Sequence, residues 1–257
     1  MRYLPGQIAV SQEADLPLMR MVHCAGHLTT EQLYTAIHAV RVKRLWDSLR
    51  WRVKRLVDHE FLDRTQVAGM KGSILSLGDY GELYLQSHAD FLVERGSRIR
   101  GARKRHQIWH DVDLFGIRLA LRDAGVIGGW ESEPEVKATN DFTTNHYAKD
   151  YDAVVTFFAD GKRGRVALEY ERTPKWSKEY ERIVKDLDRD WKVDSFLYLV
   201  PNVEMHVFVR HALRATRRPM FVAFAKEFAL RPRTAELIDV RTQRPACLDA
   251  CLAESNY

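Results

Sequence analysis

The stretch YDAVVTFFADGKRGRVALEYERTPKWSKEY, residues 151–180, contains two strand-forming runs, a turn signal and the start of a helix. The β-branched and aromatic residues between 154 and 158 predict a first strand. Gly161 can adopt the positive φ that a tight turn requires, so this strand should turn back as a hairpin. A second strand is then predicted over 165–171, and Pro174 ends it before a helix begins.

Three acidic residues of this hairpin are predicted to meet at one end of the sheet. Because side chains alternate along a strand, Glu169 and Glu171 point to the same face. Asp152, near the free end of the first strand, lies beside them if the hairpin closes as expected. Carboxylate oxygens are the hard ligands that Mg²⁺ and Mn²⁺ prefer, so the three residues predict a divalent-metal site. The alternative is that Glu169 and Glu171 form the solvent-facing side of an edge strand.

The composition is that of an ordinary globular protein, with 46% hydrophobic and 29% charged residues over 257 positions. This length allows one large domain or two small ones. No apolar run is long enough to cross a membrane and the first residues lack a signal-peptide pattern, so we expect a cytoplasmic protein without a membrane partner. Cys24, Cys247 and Cys251 match no CxxC spacing, which argues against a disulfide framework or a zinc ribbon.

Residues 1–90 are predicted to form a winged helix-turn-helix domain. Apolar periodicity and strand-forming residues predict three helices and two strands, over 16–25, 31–38, 43–59, 61–62 and 73–77. Three helices followed by a two-stranded ribbon are typical of winged helices, which place one helix in the major groove of double-stranded DNA. Because many winged helices dock proteins instead, a protein-docking role is the alternative.

The third of these helices is the predicted DNA-recognition helix. Between positions 41 and 59, seven basic residues stand against two acidic ones, and the net charge of +5 also favours a polyanion as partner. The stripe expected to be buried consists of Leu45, Leu49, Val53, Leu56 and Val57. The residues predicted to contact DNA are Ser48, Arg50, Trp51, Arg52, Lys54 and Arg55. Of these, Arg52 and Arg55 on the exposed face are the predicted base or phosphate contacts.

A basic segment, 91–105, is predicted to link this domain to a second one. Its residues Arg103, Lys104 and Arg105 could lie along the DNA backbone, or they could form the charged face of a loop or helix. Residues 106–257 are predicted to form an α/β (α+β) domain whose element order, αβββαβ, matches a restriction-endonuclease-like core. Its predicted elements are a helix over 106–123, a strand over 129–136, the hairpin over 151–171, a helix over 176–190 and strands over 195–200 and 220–225.

Several further motifs occur along the chain: His110-Asp111 in a helix, TrpGluSerGlu at 130–133, a strand led by Asp152, and LeuGluTyrGluArgThr at 168–173 followed by a helix with Lys and Tyr. Together with the predicted winged helix, they resemble the replication-relaxation family of plasmids and integrative elements, over roughly residues 16–200. The resemblance implies a winged helix joined to a PD-(D/E)XK-like nuclease domain. It also implies a relation to mobilisation relaxases of that architecture.

The resemblance places Asp152, Glu169 and Glu171 at the acidic catalytic and metal-binding positions. It implies Lys175 or Lys178 as the basic partner, because Glu171 stands where the nuclease pattern has a lysine. Lys178 is preferred, since a helix holds its ammonium group more firmly than a loop does. The alternative is that both lysines only solvate the start of the helix.

The predicted function is DNA binding in plasmid or mobile-element replication or mobilisation, with metal-dependent DNA nicking as the chemistry. Mg²⁺ or Mn²⁺ is the expected cofactor, double-stranded DNA is the expected partner, and a homodimer is an option. The alternative is a non-catalytic winged-helix regulator whose degenerate nuclease domain serves dimerisation or docking. A nuclease should cut only with metal, whereas a regulator should bind DNA equally with metal or with chelator.

Overall fold

The structure, a computed structural model, describes residues 4, 6–38, 43–88, 102–144, 146–159 and 161–252. The chain divides into two compact units, Met1–Leu119 and Ala120–Tyr257. Most of the expected basic linker, 91–101, lies outside the described residues, and so do the side chains of Arg103 and Lys104. The division between the units falls inside a helix, and the second unit begins 14 residues after the expected start of the second domain at 106.

The first unit contains helices and a small sheet. Its elements are α1 (Asp15–Ala25), β1 (Leu28–Thr29), α2 (Thr30–Ile37), α3 (Lys43–Asp58), β2 (Leu62–Gln66), β3 (Ser73–Leu77), α4 (Asp79–His88) and α5 (Ala102–Asp123), of which α5 continues into the second unit. The strands form an antiparallel sheet in the order β1-β3-β2. All three predicted helices and both predicted strands are confirmed as elements, and the sequence patterns did not predict β1.

Local signals explain where the first helices begin and end. Gly26 follows α1 with φ 68, a backbone conformation that favours glycine. Thr29 caps α2: its hydroxyl oxygen accepts the Gln32 N–H at 3.0 Å, and the Gln32 side chain accepts the Thr29 N–H at 2.9 Å. Two of the orphan amide groups at this helix start are therefore satisfied within the sequence itself.

The apolar stripe of α3 differs from the prediction at its first residue. Leu49, Val53 and Leu56 are buried in the core of the first unit as expected, but Leu45 is 42% exposed. Trp46 packs against that core instead, with its ring edge-on to Tyr34 at a centroid distance of 4.4 Å. The prediction for Leu45 is therefore wrong: Trp46, one position further on, fills the start of the buried face instead.

The second unit is built on a seven-stranded mixed sheet. Its elements are β4 (Ile127–Ser132), α6 (Glu133–Phe142), β5 (Ala153–Ala159), β6 (Lys162–Tyr170), α7 (Ser177–Leu187), β7 (Ser195–Val200), α8 (Val203–Ala212), β8 (Met220–Phe224), α9 (Ala225–Leu230), β9 (Leu237–Asp239), β10 (Pro245–Ala246) and a 3-10 turn (Leu248–Cys251). The strand order is β10-β9-β8-β7-β6-β5-β4. β6, β7 and β8 run parallel, and the other neighbours pair antiparallel.

One predicted strand ends earlier than expected. The strand predicted over 129–136 stops at Ser132, and the rest of that range opens α6. The Glu135 carboxylate accepts the Ser132 N–H at 2.7 Å, and Pro134 lies in the first turn. Both features favour a helix start, so the prediction is wrong at 133–136.

The predicted hairpin is confirmed, and it lies inside the sheet. Gly161 adopts φ 78 in the turn, and Ala153 pairs with Leu168. β6 has β5 on one side and β7 on the other, and its residues from 166 onward are buried. The alternative that Glu169 and Glu171 belong to an edge strand is therefore wrong.

The 3-10 turn covers part of this sheet. The Ser195 hydroxyl donates a hydrogen bond of 2.6 Å to the Cys251 carbonyl oxygen. Leu252 lies so close to Gly164 that a Cβ added there would come within 3.1 Å of its side chain. Residues 248–252 therefore pack directly on the central strands. Within the described ranges, no helix has both the length and the apolar character to cross a membrane.

Candidate active site

The hairpin brings the three predicted carboxylates to one end of the large sheet. Glu169 is the penultimate residue of β6, and the Glu171 N–H continues the ladder by donating to the Leu199 carbonyl at 2.9 Å. Asp152 precedes β5, and its Oδ2 accepts the Tyr170 N–H at 2.7 Å. Asp152 is thus fixed to the backbone between the two glutamates.

Both glutamates are buried, and each has a lysine as counter-charge. Glu169 is 5% exposed and Glu171 is 6% exposed. The Lys149 ammonium nitrogen lies 2.7 Å from Glu169 Oε1, and the Lys175 ammonium forms an ion pair with Glu171 Oε2. An isolated buried charge is strongly unfavourable, and each of these carboxylates has an ammonium group as its partner.

Lys149 is a residue of this carboxylate cluster that the sequence analysis missed. It lies between α6 and β5, where no periodic pattern marks it, and only the sheet register brings it to Glu169. Burial acts to lower the pKa of Lys149, but the charges of Glu169, Asp152 and Glu171 outweigh burial and raise it above its ordinary value. Lys149 is therefore a permanent cation at neutral pH.

Several buried polar atoms around Glu169 lack a hydrogen bond. Burial raises the pKa of Glu169, the Lys149 charge opposes this rise, and the Asp152 charge adds to it. Despite the nearby ammonium, Glu169 Oε1 has no hydrogen-bond partner among the residues that the structure describes, and the same holds for the hydroxyl group of Tyr198. Unsatisfied buried polar atoms are rare and favour a site that takes up water, an ion or a ligand.

The three carboxylates are suitable ligands for a hard divalent cation, but they are not arranged as a preformed metal site. Asp152, Glu169 and Glu171 offer only oxygen ligands, as Mg²⁺ and Mn²⁺ prefer, and Glu169 Oε1 lacks a hydrogen bond. In the described part of the chain, no three His, Cys, Asp or Glu side chains are grouped closely enough to hold a metal ion. A divalent ion would therefore have to exchange with the lysine contacts.

The structure favours Lys175 over Lys178 at this site. Lys175 forms the ion pair with Glu171, whereas Lys178 is an exposed residue of α7. The preference for Lys178 is thus corrected, because the first turn of α7 points its side chain to solvent. The two lysines that meet the carboxylates come from the segments flanking the hairpin.

The predicted recognition helix also differs from expectation. Arg52 Nη1 lies 2.9 Å from Asp15 Oδ1, and Arg55 forms an ion pair with Asp15 Oδ2. Asp15 is fully buried and also accepts the Ser11 N–H at 2.8 Å. Arg52 and Arg55 are therefore not on an open face as predicted: they are half-buried and bind the first turn of α1.

Other predicted DNA contacts are on the surface. The exposed residues of this set are Ser48, Arg50, Trp51, Lys54 and, in α5, Arg105. Lys54 forms an ion pair with Asp58 on the same helix, and the Arg55 guanidinium lies 5.4 Å from the centre of the Trp51 ring. α3 thus keeps an exposed basic and aromatic surface although two of its arginines are used internally.

Comparisons with known proteins add little to this geometry. No family model matches the sequence, and no curated protein matches it. Two solved structures of the restriction endonuclease FokI, one bound to DNA, align with TM-scores of 0.27 and 11% sequence identity. The alignments cover 83% and 84% of this chain but 43% and 42% of the FokI chains, so this chain spans less than half of their length. The resemblance to the replication-relaxation family stays a prediction.

Proposed function

We propose that this protein binds double-stranded DNA and cleaves its phosphodiester backbone at the sheet end formed by Asp152, Glu169 and Glu171. One observation carries the proposal: two buried glutamates and an aspartate lie together with a half-buried lysine, Lys149, at the end of an interior strand. Such a cluster is unfavourable for stability and is typical of a catalytic site.

The order of elements supports a PD-(D/E)XK-like core. α5, β4, β5, β6, α7 and β7 follow the order αβββαβ, with α6 inserted between β4 and β5. Asp152 precedes the second of these strands, and Glu169 lies on the third, as the resemblance implies. Glu171 replaces the lysine of that pattern, and Lys149 reaches the carboxylates from outside the strand.

Different residues of this site can have different roles in hydrolysis. Asp152 is oriented by the Tyr170 N–H, and Lys149 places a fixed positive charge beside Glu169, where it could stabilise a scissile phosphate. When bound by Asp152, Glu169 and Glu171, Mg²⁺ or Mn²⁺ would lower the pKa of a water and stabilise the leaving oxygen. The water oxygen bonds to phosphorus as the water gives up a proton to solvent, the bond from phosphorus to the 3′ oxygen breaks, and that oxygen takes up a proton from solvent.

The first unit is proposed to be the winged helix-turn-helix DNA-binding domain. Its order α1, β1, α2, α3, β2, β3 supports this assignment, with α3 as the helix that meets DNA. Ser48, Arg50, Trp51 and Lys54 are the proposed surface contacts, and the ion pairs of Arg52 and Arg55 with Asp15 would fix the angle of α3. The resemblance further suggests a role in plasmid or mobile-element replication or mobilisation.

A nicking assay tests the cleavage proposal. Supercoiled plasmid is incubated with the protein in Mg²⁺, in Mn²⁺ and in chelator, and the wild type should nick only with metal. Glu169→Gln should reduce the rate by at least about a hundredfold, since it removes one charge from the site. Glu181→Gln is the matched control, because Glu181 is an exposed glutamate of α7.

A non-catalytic regulator is the second candidate. It is favoured by the absence of a preformed metal cage within the described residues, where lysines neutralise the glutamates instead. A wild-type protein that binds DNA equally with metal and with chelator, and nicks with neither Mg²⁺ nor Mn²⁺, would establish the regulator and exclude the nuclease.

Anisotropy titrations test the DNA-binding surface separately. Arg50→Gln should weaken duplex binding and reduce its salt dependence, because one phosphate contact and its counterion release are lost. Arg163→Gln, an exposed arginine at the start of β6, is the control with the same change of charge. Equal affinities for the two variants would remove α3 from the DNA interface.

A further inference from the structure

A second candidate site lies beside the start of β8, and it shares no residue with the carboxylate site. It is a groove of about 460 Å³ between α8 and the turn that joins β9 to β10. Val240, on its wall, donates its N–H to the carbonyl of Met220 at the first residue of β8. In the register of the parallel strands, Met220 is level with Ala167, and Glu169 lies two residues further along β6. β7 lies between β6 and β8, so the groove is displaced from the carboxylates across the sheet.

The lining of this groove is basic. Arg210 and His211 come from the last turn of α8, Arg214 follows it, and Arg241 comes from the β9–β10 turn. No carboxylate belongs to the lining, and none of the described acidic side chains forms an ion pair with Arg210, Arg214 or Arg241. At least three positive charges therefore converge on the groove without being neutralised there.

Neutral acceptors hold two of these arginines in position. Arg210 donates from Nε to Gln243 Oε1 at 3.1 Å, and a second bond runs from its Nη2 to the same oxygen. Arg241 Nη1 donates to the Arg217 carbonyl at 3.1 Å. Such bonds orient a guanidinium but leave its charge intact, unlike the carboxylate partners of Arg52 and Arg55.

The turn that carries Arg241 and Gln243 is itself tightly held. The Asp239 carboxylate accepts the N–H groups of Arg241 at 2.8 Å and Thr242 at 3.1 Å. Gln243 adopts φ 58, which is uncommon for a residue other than glycine, and its N–H donates to the Asp239 carbonyl at 2.8 Å. A strained residue held by several bonds suggests that its side chain is needed where it is, as the support of Arg210.

We propose that this groove binds a phosphate group, either of a small phosphorylated ligand such as a nucleotide or of a nucleic-acid backbone. Several guanidinium groups with free N–H donors match the geometry of phosphate oxygens. Val207, 59% exposed on the groove wall, offers an apolar contact beside the charge for a sugar or base. This site does not depend on the cleavage proposal, since it shares no residue with the carboxylate site.

Calorimetric titration with pyrophosphate and with ATP tests the site on the full chain without added metal. Arg214→Gln and Arg241→Gln should each weaken binding at least about tenfold, the loss expected for one charged hydrogen-bonding partner. Arg231→Gln is the control, because Arg231 is an exposed arginine of the same unit that pairs with Glu227. Arg214 and Arg241 are exposed, so both variants should fold, which circular dichroism verifies.

A second titration with a duplex oligonucleotide distinguishes the two sources of phosphate. If only pyrophosphate or ATP binding falls in the groove variants, the ligand is a small phosphorylated molecule. If DNA affinity falls in them but not in Arg231→Gln, the groove holds a nucleic-acid backbone. If neither titration separates the groove variants from the control, or if the wild type binds none of the three probes, the proposal is overturned, whatever the nicking assay shows.

Discussion

Asp15 in the first unit and Glu169 in the second are both buried carboxylates that meet cations, yet their surroundings differ. Asp15 accepts the Ser11 N–H and pairs with Arg52 and Arg55. Burial acts to raise the pKa of Asp15, but these three donors outweigh it and lower the pKa below its ordinary value. Glu169 meets one ammonium group, keeps an oxygen without a hydrogen bond, and has its pKa raised by burial.

This difference distinguishes a carboxylate that holds two helices together from one whose lysine partner can be replaced by a metal ion or a water. The oxygens of Asp15 have their partners, so the charge holds α1 to α3 and no further ligand is required. One carboxylate oxygen of Glu169 lacks a hydrogen bond, and a divalent ion or a water could bind to it. Burial alone therefore does not distinguish the two carboxylates, whereas the hydrogen bonds that each accepts do.

The largest expected effect concerns the stability of the first unit. Asp15→Ala should lower the free energy of unfolding by about 3–5 kcal/mol, because two half-buried arginines lose their common partner. Urea denaturation followed by circular dichroism measures this change. Asp58→Ala is the matched control: Asp58 pairs with Lys54 on the surface of α3, and its loss should cost at most about 1 kcal/mol. Equal losses for the two variants would contradict the structural role of Asp15.

A smaller effect, on the affinity for Mn²⁺, is expected when the ammonium group of Lys149 beside Glu169 is removed. Lys149→Met should tighten Mn²⁺ binding about tenfold, because the ammonium group no longer competes for Glu169 or repels the metal. Calorimetry with Mn²⁺ measures the affinity, and Lys178→Met serves as the control, since Lys178 is exposed on α7. Weaker Mn²⁺ binding by Lys149→Met, or the same change in the control, would contradict this prediction. Glu169 would then be no more open to a metal ion than Asp15 is.

The smallest effect is the pH dependence that Asp15 contributes. Its pKa is lower in the folded protein than its ordinary value of 3.8, so its stabilising contribution is fully present above that value. The contribution is lost as the pH falls through the folded pKa. Between about pH 5 and pH 3, the stability of the wild type should therefore fall more steeply than that of Asp15→Asn. Parallel curves from urea denaturation at each pH would contradict the lowered pKa.

Much of the second unit could be predicted from local patterns. The hairpin followed from a β-branched run and Gly161, and β7 and β8 followed from short apolar runs, which are typical of strands buried on both faces. The start of α6 was missed although its signal was present, because Ser132 and Glu135 have the spacing of a capping pair.

The contacts that define both carboxylate sites could not be predicted from such patterns. Arg52 and Arg55 lie 37 and 40 residues from Asp15, and helical periodicity says only which face they share. Lys149 lies in a loop and reaches Glu169 only through the register of β5 with β6. Pairings over such distances depend on how the elements pack, which one sequence alone does not determine.

The 3-10 turn at Leu248–Cys251 has a consequence for how the chain matures during translation. The Cys251 carbonyl accepts a hydrogen bond from the Ser195 hydroxyl, which belongs to a strand synthesised 56 residues earlier. Leu252 covers Gly164, which belongs to a strand synthesised earlier still. The central strands are therefore synthesised before residues 248–252, which cover them. During that interval the nascent sheet has an uncovered apolar patch, which is where chaperones, or neighbouring nascent chains, would make contact with it.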